Sequence, residues 1–141
     1  MKNILLALIL FLPGYLLYAS DKNEHTPPAD SEIVHAIFIN HDIPLASIES
    51  CASAPIDPGA STIGEYVSQL IAATQKKEFE GLKVRISKEL VKGESGESFW
   101  ECSLFFYIED DYSPWEYGVS FLMRISDHSV IRSSFECPGV P

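Results

Sequence analysis

Apolar and polar residues alternate along most of the chain from residue 82 to residue 137. Four segments carry this pattern, and connections rich in polar residues, glycine or proline separate them: 82–92, 98–109, 117–126 and 130–137. A period of two indicates a β-strand with one buried face, and short connections favour antiparallel neighbours. The pattern therefore predicts a four-stranded antiparallel meander sheet.

The glycine-rich turn at 93–97 sets the alignment of the first two strands. If Leu90 faces Trp100, the apolar side chains of both strands lie on one face of the sheet. Continuing this alignment into the third strand places Phe105 opposite Leu122, on the other face. These pairings are predictions of register, and the register determines which side chains are neighbours on each face of the sheet.

The fourth strand needs a bulged turn if its apolar residues are to face inward. Ile131 and Phe135 would then lie opposite Ile125 and Phe121. A two-residue turn would put them on the wrong face, because a slip of one residue moves every side chain to the other side. We therefore predict a three-residue bulged turn at 127–129.

Residues 62–80 show the clearest helical period in the chain. Thr62 and Glu65 have the spacing of a capping box, and the apolar residues that follow form one stripe at helical spacing. A shorter helix is predicted at 31–40, although the β-branched residues there also suit a strand. Packing the main helix on the inner face of the sheet gives a two-layer α+β fold.

Residues 1–20 have the composition of a secretory signal peptide. Lys2 precedes an apolar run, and small residues close the segment. The run is shorter than the roughly 20 residues of a spanning helix, which disfavours the alternative of a membrane anchor. We expect no stable membrane anchor after cleavage, a flexible leader at 21–30 and a single α+β domain at 31–141. The protein would be periplasmic or secreted.

Three cysteines in an oxidising compartment predict one disulfide and one remaining thiol. The predicted register places Cys102 and Cys137 two strands apart, beyond the roughly 7 Å between Cα atoms that a disulfide tolerates. Cys51 is then one partner. Because Cys51 precedes the N-terminus of the 62–80 helix, which we expect near Cys102, the first choice is Cys51–Cys102 and the second is Cys51–Cys137.

The chain is acidic, with a formal net charge of −10. Loss of Lys2 with the signal peptide would make it one unit more negative. This charge disfavours binding to nucleic acid or to anionic membrane surfaces, and it favours a basic protein partner. Acidity is also a common means of keeping a protein soluble.

The sequence carries no recognisable catalytic or metal-binding signature. No histidine stands in a nucleophile motif with the spare cysteine, and no G-x-S-x-G is present. The acids at 109–111 and 116 do not have the spacing of an EF-hand loop. We expect no catalytic residue, no metal ion and no cofactor.

The connection between the second and third strands combines acids with aromatic rings. Its residues are Glu109, Asp110, Asp111, Tyr112, Trp115, Glu116 and Tyr117. Aromatic anchors with charged neighbours are typical of protein contact sites, and acids accelerate association with a basic partner. The alternative is that Trp115 folds back to cap the end of the sheet.

The outer face of the sheet is the second candidate surface. The predicted register gathers Arg85, Phe105 and Leu122 into a small apolar and cationic patch on the side away from the helix. Such a face is either covered or used for binding. A second copy of the chain, giving a homodimer, is one possible cover.

Three functional hypotheses follow. The first is a secreted or periplasmic binding protein of the inhibitor or immunity type, whose acidic and aromatic loop engages a basic protein. The second is a self-associating accessory or structural protein of the cell envelope. The third, a small hydrolase with an unrecognised site, ranks last because no nucleophile and base can be paired.

Overall fold

The computed structural model describes residues 25–51, 60–75, 81–108 and 115–140. The predicted signal peptide, most of the acidic loop and residues 76–80 lie outside this set. The elements, in chain order, are α1 (Asp30–Ile39), α2 (Ile63–Ala73), β1 (Lys83–Lys92), β2 (Ser98–Ile108), β3 (Trp115–Arg124), β4 (Val130–Glu136) and β5 (Gly139–Val140).

The fold is α+β, as predicted. The sheet is antiparallel in the order β1-β2-β3-β4, and the two-residue strand β5 pairs with β3. Both helices pack on the inner face, α1 against β2 and α2 against β3. The core therefore lies between one layer of helices and one face of the sheet.

The register of β1 and β2 is the predicted one. Leu90 pairs with Trp100, and the ladder runs without a break to Lys83 and Tyr107. Gly96 has a φ of 88°, which glycine adopts without steric cost and which this tight turn requires. The side chains of β1 and β2 keep their predicted faces as a result.

The predicted register of β2 and β3 is wrong. Phe105 pairs with Gly118 and not with Leu122. The observed register extends the ladder to Ile108 and Trp115, so that β3 begins earlier than its apolar pattern indicated. The shift is an even number of residues, so each side chain keeps its predicted face but has a different neighbour.

The bulge in β3 and β4 lies inside the ladder and not at the turn. The register shifts between the pair of Ser120 with Glu136 and the pair of Leu122 with Ile131. Ile131 therefore pairs on the outer face, which corrects its predicted inward position. Phe135, beyond the shift, faces inward as predicted.

The turn before β4 is held by its own backbone. The N–H of His128 donates to the Arg124 carbonyl, and the N–H of Arg124 donates to the Ser129 carbonyl. His128 has a φ of 55°, in the left-handed region that such turns use.

On the inner face of the sheet, the rings of Phe121 and Phe135 stack with their centroids 4.9 Å apart.

Helix α1 forms where the short helix was predicted. Its first turn is held by Glu32, whose Oε2 accepts the Ala29 N–H at 2.6 Å. Its inward side chains are Ile33, Ala36 and Ile37. Just before the helix, Pro28 is buried and its carbonyl accepts a hydrogen bond from Lys88 Nζ.

Helix α2 begins at the predicted capping box and is shorter than predicted. Thr62 Oγ1 accepts the Glu65 N–H, and Glu65 Oε2 accepts the Ser61 N–H at 2.7 Å. The helix ends at Ala73, with Thr74 as its C-cap. The remaining predicted residues, 76–80, lie outside the described residues.

The disulfide joins Cys51 to Cys137, the second choice of the sequence analysis. The first choice, Cys51–Cys102, is wrong. A single 3₁₀ turn, Glu49–Cys51, lies against the end of β4, where Ser50 Oγ accepts the Cys137 N–H at 3.0 Å. Cys102 is a fully buried free thiol on β2, the strand that α1 packs against.

Candidate functional site

Four side chains meet on the outer face of the sheet near the end that carries the acidic loop. They are Arg85, Phe105, Tyr107 and Glu116, and we call them the Arg85 cluster. Arg85 pairs directly with Phe105, and Tyr107 pairs directly with Glu116. Three adjacent strands therefore position these four residues on one face.

The Arg85 guanidinium is the centre of this cluster. Its Cζ lies 5.1 Å from the centroid of the Phe105 ring and 5.2 Å from that of Tyr107. Its Nη2 lies 3.1 Å from Glu116 Oε1. Each contact contributes on the order of 1 kcal/mol or less at an exposed site, so their main effect is to hold the two rings in place.

Gly118 lets the Phe105 ring lie close to the sheet. A Cβ at Gly118 would collide with the Leu104 carbonyl oxygen and would approach Phe105 Cδ1 to 2.9 Å. A side chain at this position would displace the ring or the strand. The glycine is therefore part of what shapes the Arg85 cluster.

The acidic loop is attached beside the Arg85 cluster. Glu109, Asp110, Asp111 and Tyr112 lie outside the described residues, but the residues that bracket the loop, Ile108 and Trp115, form the last pair of the ladder. That pair is adjacent to Tyr107 and Glu116. The two ends of the loop therefore lie beside the Arg85 cluster.

Two of the predicted contact residues lie elsewhere. Tyr117 is only 5% exposed and belongs to the core, so its side chain is not on the surface. Leu122 is on the outer face but pairs with Glu101 and Ile131, away from Phe105. A row of buried serines, Ser103 and Ser120, lies between the two positions. The predicted continuous patch does not form.

A groove between the two helices was missed by the sequence analysis. It has a volume of about 870 Å³, and its walls come from α1 and α2, with Leu104 of β2 at its floor. Phe38 on its rim is 72% exposed. The available signal was the composition of α1, whose sequence DSEIVHAIFI has apolar residues on every side of the helix.

Two carboxylates that line this groove remain ionised well below neutral pH. The hydrogen bond from Arg132 lowers the pKa of Asp42. The backbone N–H and the hydroxyl of Ser61 lower the pKa of Glu65. Both carboxylates are exposed. Arg132 forms a bidentate salt bridge with Asp42, in which Nη1 and Nη2 each lie 3.1 Å from a carboxylate oxygen. Because Arg132 offsets the charge of Asp42, the net negative charge that these groups give the groove is that of Glu65.

The described residues offer little for nucleophilic or metal chemistry. No group of three or more histidines, cysteines, aspartates or glutamates gathers among them to hold a metal ion. Burial raises the pKa of the Cys102 thiol to about 11, so the reactive thiolate is scarce at neutral pH. His128 is held by Glu32 and by the Thr26 carbonyl, at 3.2 and 3.0 Å.

No protein-family model, curated protein or solved structure was found to match this chain. The two described α-helices have 10 and 11 residues, and neither reaches the length that a transmembrane helix requires. The Cys51–Cys137 disulfide is compatible with the oxidising conditions outside the cytosol. Functional inference therefore rests on the chain's own surfaces.

Proposed function

We propose that this is a secreted or periplasmic protein-binding protein of the inhibitor or immunity type, which engages a basic protein. The contact surface consists of the Arg85 cluster and the adjacent acidic loop. The observation that carries the proposal is the Arg85 guanidinium, which fixes two aromatic rings beside the strand ends that hold the loop.

Fixed aromatic rings favour this surface as a binding site over other parts of the sheet. Aromatic side chains provide large contact areas, and a side chain that is already ordered loses less entropy on binding. Phe105 and Tyr107 are half-buried, so each still presents surface to a partner. The contacts to Arg85 supply the ordering in the free protein.

Charge supports a basic partner. The chain has a formal net charge of −10, and the loop concentrates three acids in consecutive positions, 109–111. The carboxylate of Glu116 extends this charge to the outer face, although Arg85 partly neutralises it. A basic protein would be attracted to this end of the molecule, most strongly at low ionic strength.

A quantitative pull-down from envelope or culture extracts tests the proposal. The bait is the wild-type protein or a loop variant carrying Asp110→Ala, Asp111→Ala and Trp115→Ala. We expect a basic protein to be recovered with the wild type and to be depleted at least about tenfold with the loop variant, as for loss of an aromatic anchor.

A matched control variant lies at the opposite end of the sheet. It carries Glu94→Ala, Glu97→Ala and Phe99→Ala, and so removes the same charge and one aromatic ring from the β1–β2 turn region. The control should retain the partner. Equal recovery of every protein by the wild type, the loop variant and the control would refute the proposed surface.

A further inference from the structure

Helix α1 exposes apolar side chains that a helix facing water normally lacks. Val34 and Phe38 are 48% and 72% exposed, while Ile33 and Ile37 of the same helix are buried in the core. A helix that is apolar on every side is typically buried on every side. The exposed side of α1 therefore has the character of a surface that a partner covers.

This exposed side forms one wall of the groove between the helices. Val34 and Phe38 are one turn apart on α1, and Ile71 of α2, which is 49% exposed, stands on the opposite wall. Val67 and Leu104 lie deeper. The groove thus presents apolar side chains on both walls and on its floor.

Polar groups in the groove are suited to a donor with positive charge. Asp42 and Glu65 both line the groove, and among the described lining residues His41 is the only basic side chain. Arg132, outside the lining, pairs with Asp42, so the net negative charge of these carboxylates is that of Glu65. Gln69 Oε1 is buried and has no hydrogen-bond partner among the described residues. Because this oxygen has no accessible surface, an N–H donor on a bound molecule would reach it only after the Gln69 side chain rotates toward the groove.

The backbone around the groove favours a helix as the occupant. Both walls are helices whose backbone groups are bonded internally, and the floor is the central strand β2, which is paired on both edges. An extended peptide would find no free strand edge here to pair with. A helix satisfies its own backbone and can place an apolar face in the groove.

From these observations we propose that the groove between α1 and α2 binds a cationic amphipathic helix of a partner protein. A second copy of this chain fits less well, because each copy has a formal charge of −10 and would bring the same acids to the contact. This site is separate from the Arg85 cluster and does not depend on it.

The test is an NMR titration of the ¹⁵N-labelled protein with a synthetic helical peptide of about four turns. The peptide contains only leucine and lysine, with leucines on one face. Two further peptides serve as comparisons: one has glutamate in place of lysine, and one has the leucines and lysines in scrambled order. We expect the amphipathic cationic peptide to shift amide signals of α1 and α2 selectively.

Two groove variants and one control locate the site. Phe38→Ala and Ile71→Ala should each raise the dissociation constant about tenfold or more, because each removes an apolar contact. Leu90→Ala changes a comparably exposed apolar residue on β1, outside the groove lining, and should change it less than about twofold.

Four results would overturn the proposal. The first is that the cationic amphipathic peptide causes no localised shifts. The second is that the scrambled or the acidic peptide binds as tightly as the cationic amphipathic peptide. The third is that both groove variants bind that peptide with the affinity of the wild type. The fourth is movement of the groove signals with protein concentration alone, which would assign the groove to a second copy. Failure of the loop pull-down would leave this result unaffected, since the two tests alter different residues.

Discussion

Cys102 is the thiol that the disulfide leaves unpaired, and its burial determines its chemistry. The side chain has no exposed surface, and burial raises the pKa of the thiol to about 11. Reaction with alkylating reagents requires both access and a thiolate. A buried thiol of this kind is expected to be structural.

We predict that native protein at pH 8 does not react with iodoacetamide within an hour, whereas protein unfolded in urea takes up one equivalent. Intact-mass spectrometry measures both. A Cys102→Ala variant, which should remain unmodified in urea, is the control. Rapid labelling of the native protein would show that Cys102 is accessible.

Among the described glycines Gly64, Gly81, Gly93, Gly96 and Gly118, Gly118 leaves the least room for a Cβ. An added Cβ would collide with the Leu104 carbonyl oxygen, which belongs to the neighbouring strand and cannot move without disturbing the ladder. We predict that Gly118→Ala lowers the free energy of unfolding by about 1–3 kcal/mol or more, the range for forced overpacking.

Urea unfolding at pH 7 measures this effect. Ser120→Ala is the control, since Ser120 lies on the same face of β3 and already has a Cβ. We expect that control to change the free energy of unfolding by less than about 1 kcal/mol. Equal stability of Gly118→Ala and the wild type would contradict the close approach of β2 and β3.

At the scale of elements, the disulfide ties the segment before α2 to the end of the sheet. Cys51 and Cys137 are 86 positions apart, so the cross-link closes most of the described chain. In the chain-entropy model a loop of this size is worth roughly 4–5 kcal/mol. We predict that Cys51→Ser with Cys137→Ser lowers the free energy of unfolding by about that amount.

Urea unfolding of the wild type and of this double variant measures the lost free energy of unfolding. Cys102→Ala, which removes a cysteine but keeps the disulfide, is the control. Peptide mapping without reduction should recover one cross-linked pair that contains Cys51 and Cys137. Recovery of Cys102 in a cross-linked peptide would contradict the pairing.

The β1–β2 hairpin could be predicted from the sequence because its short turn leaves little choice of register. The β2–β3 pair could not, because the longer connection permits several alignments that all keep apolar residues inward. The deciding features were Gly118 opposite Phe105 and the extension of β3 to Trp115. Neither feature changes the hydrophobic pattern.

For the helices too, the sequence predicts some features and not others. The capping box of Thr62 and Glu65 and the apolar stripe located α2, since both signals are local. The position of α1 on β2 depends on tertiary packing, which local patterns do not encode. The first choice of disulfide failed for this reason. The apolar composition of α1 indicated that its outer side is unusual, but not that this side forms a groove with α2.

At the scale of the whole molecule, two buried groups link stability to alkaline pH. Burial raises the pKa of Tyr66 to about 12 and that of Cys102 to about 11, from ordinary values of 10.0 and 9.0. The unfolded chain therefore loses these protons at lower pH than the folded protein. Their contribution is complete below about pH 9 and is lost as the pH rises to about 12.

We predict that the free energy of unfolding of Cys102→Ala falls between pH 8 and pH 11, and that adding Tyr66→Phe makes this fall smaller. The alanine background prevents disulfide exchange. Because the Tyr66 hydroxyl is buried and has no hydrogen-bond partner among the described residues, Tyr66→Phe should not reduce stability at pH 8. Identical pH dependence in the two proteins, measured by urea unfolding, would contradict the assigned role of Tyr66.

The two proposed contact surfaces lie in different layers of the molecule. The Arg85 cluster is on the outer face of the sheet, and the groove is in the helical layer. A partner that reached both would have to wrap around an edge of the sheet. The two surfaces therefore suit separate contacts, and each can be removed without altering the other.

Site-specific photo-crosslinking in the natural host cell tests the central claim most directly. A benzoylphenylalanine replaces Tyr107, beside the loop, or Phe99, on the same face at the opposite end of β2. The proposed function predicts that position 107 crosslinks to a basic protein and that position 99 does not. The same crosslink from both positions, or none from position 107, would contradict it.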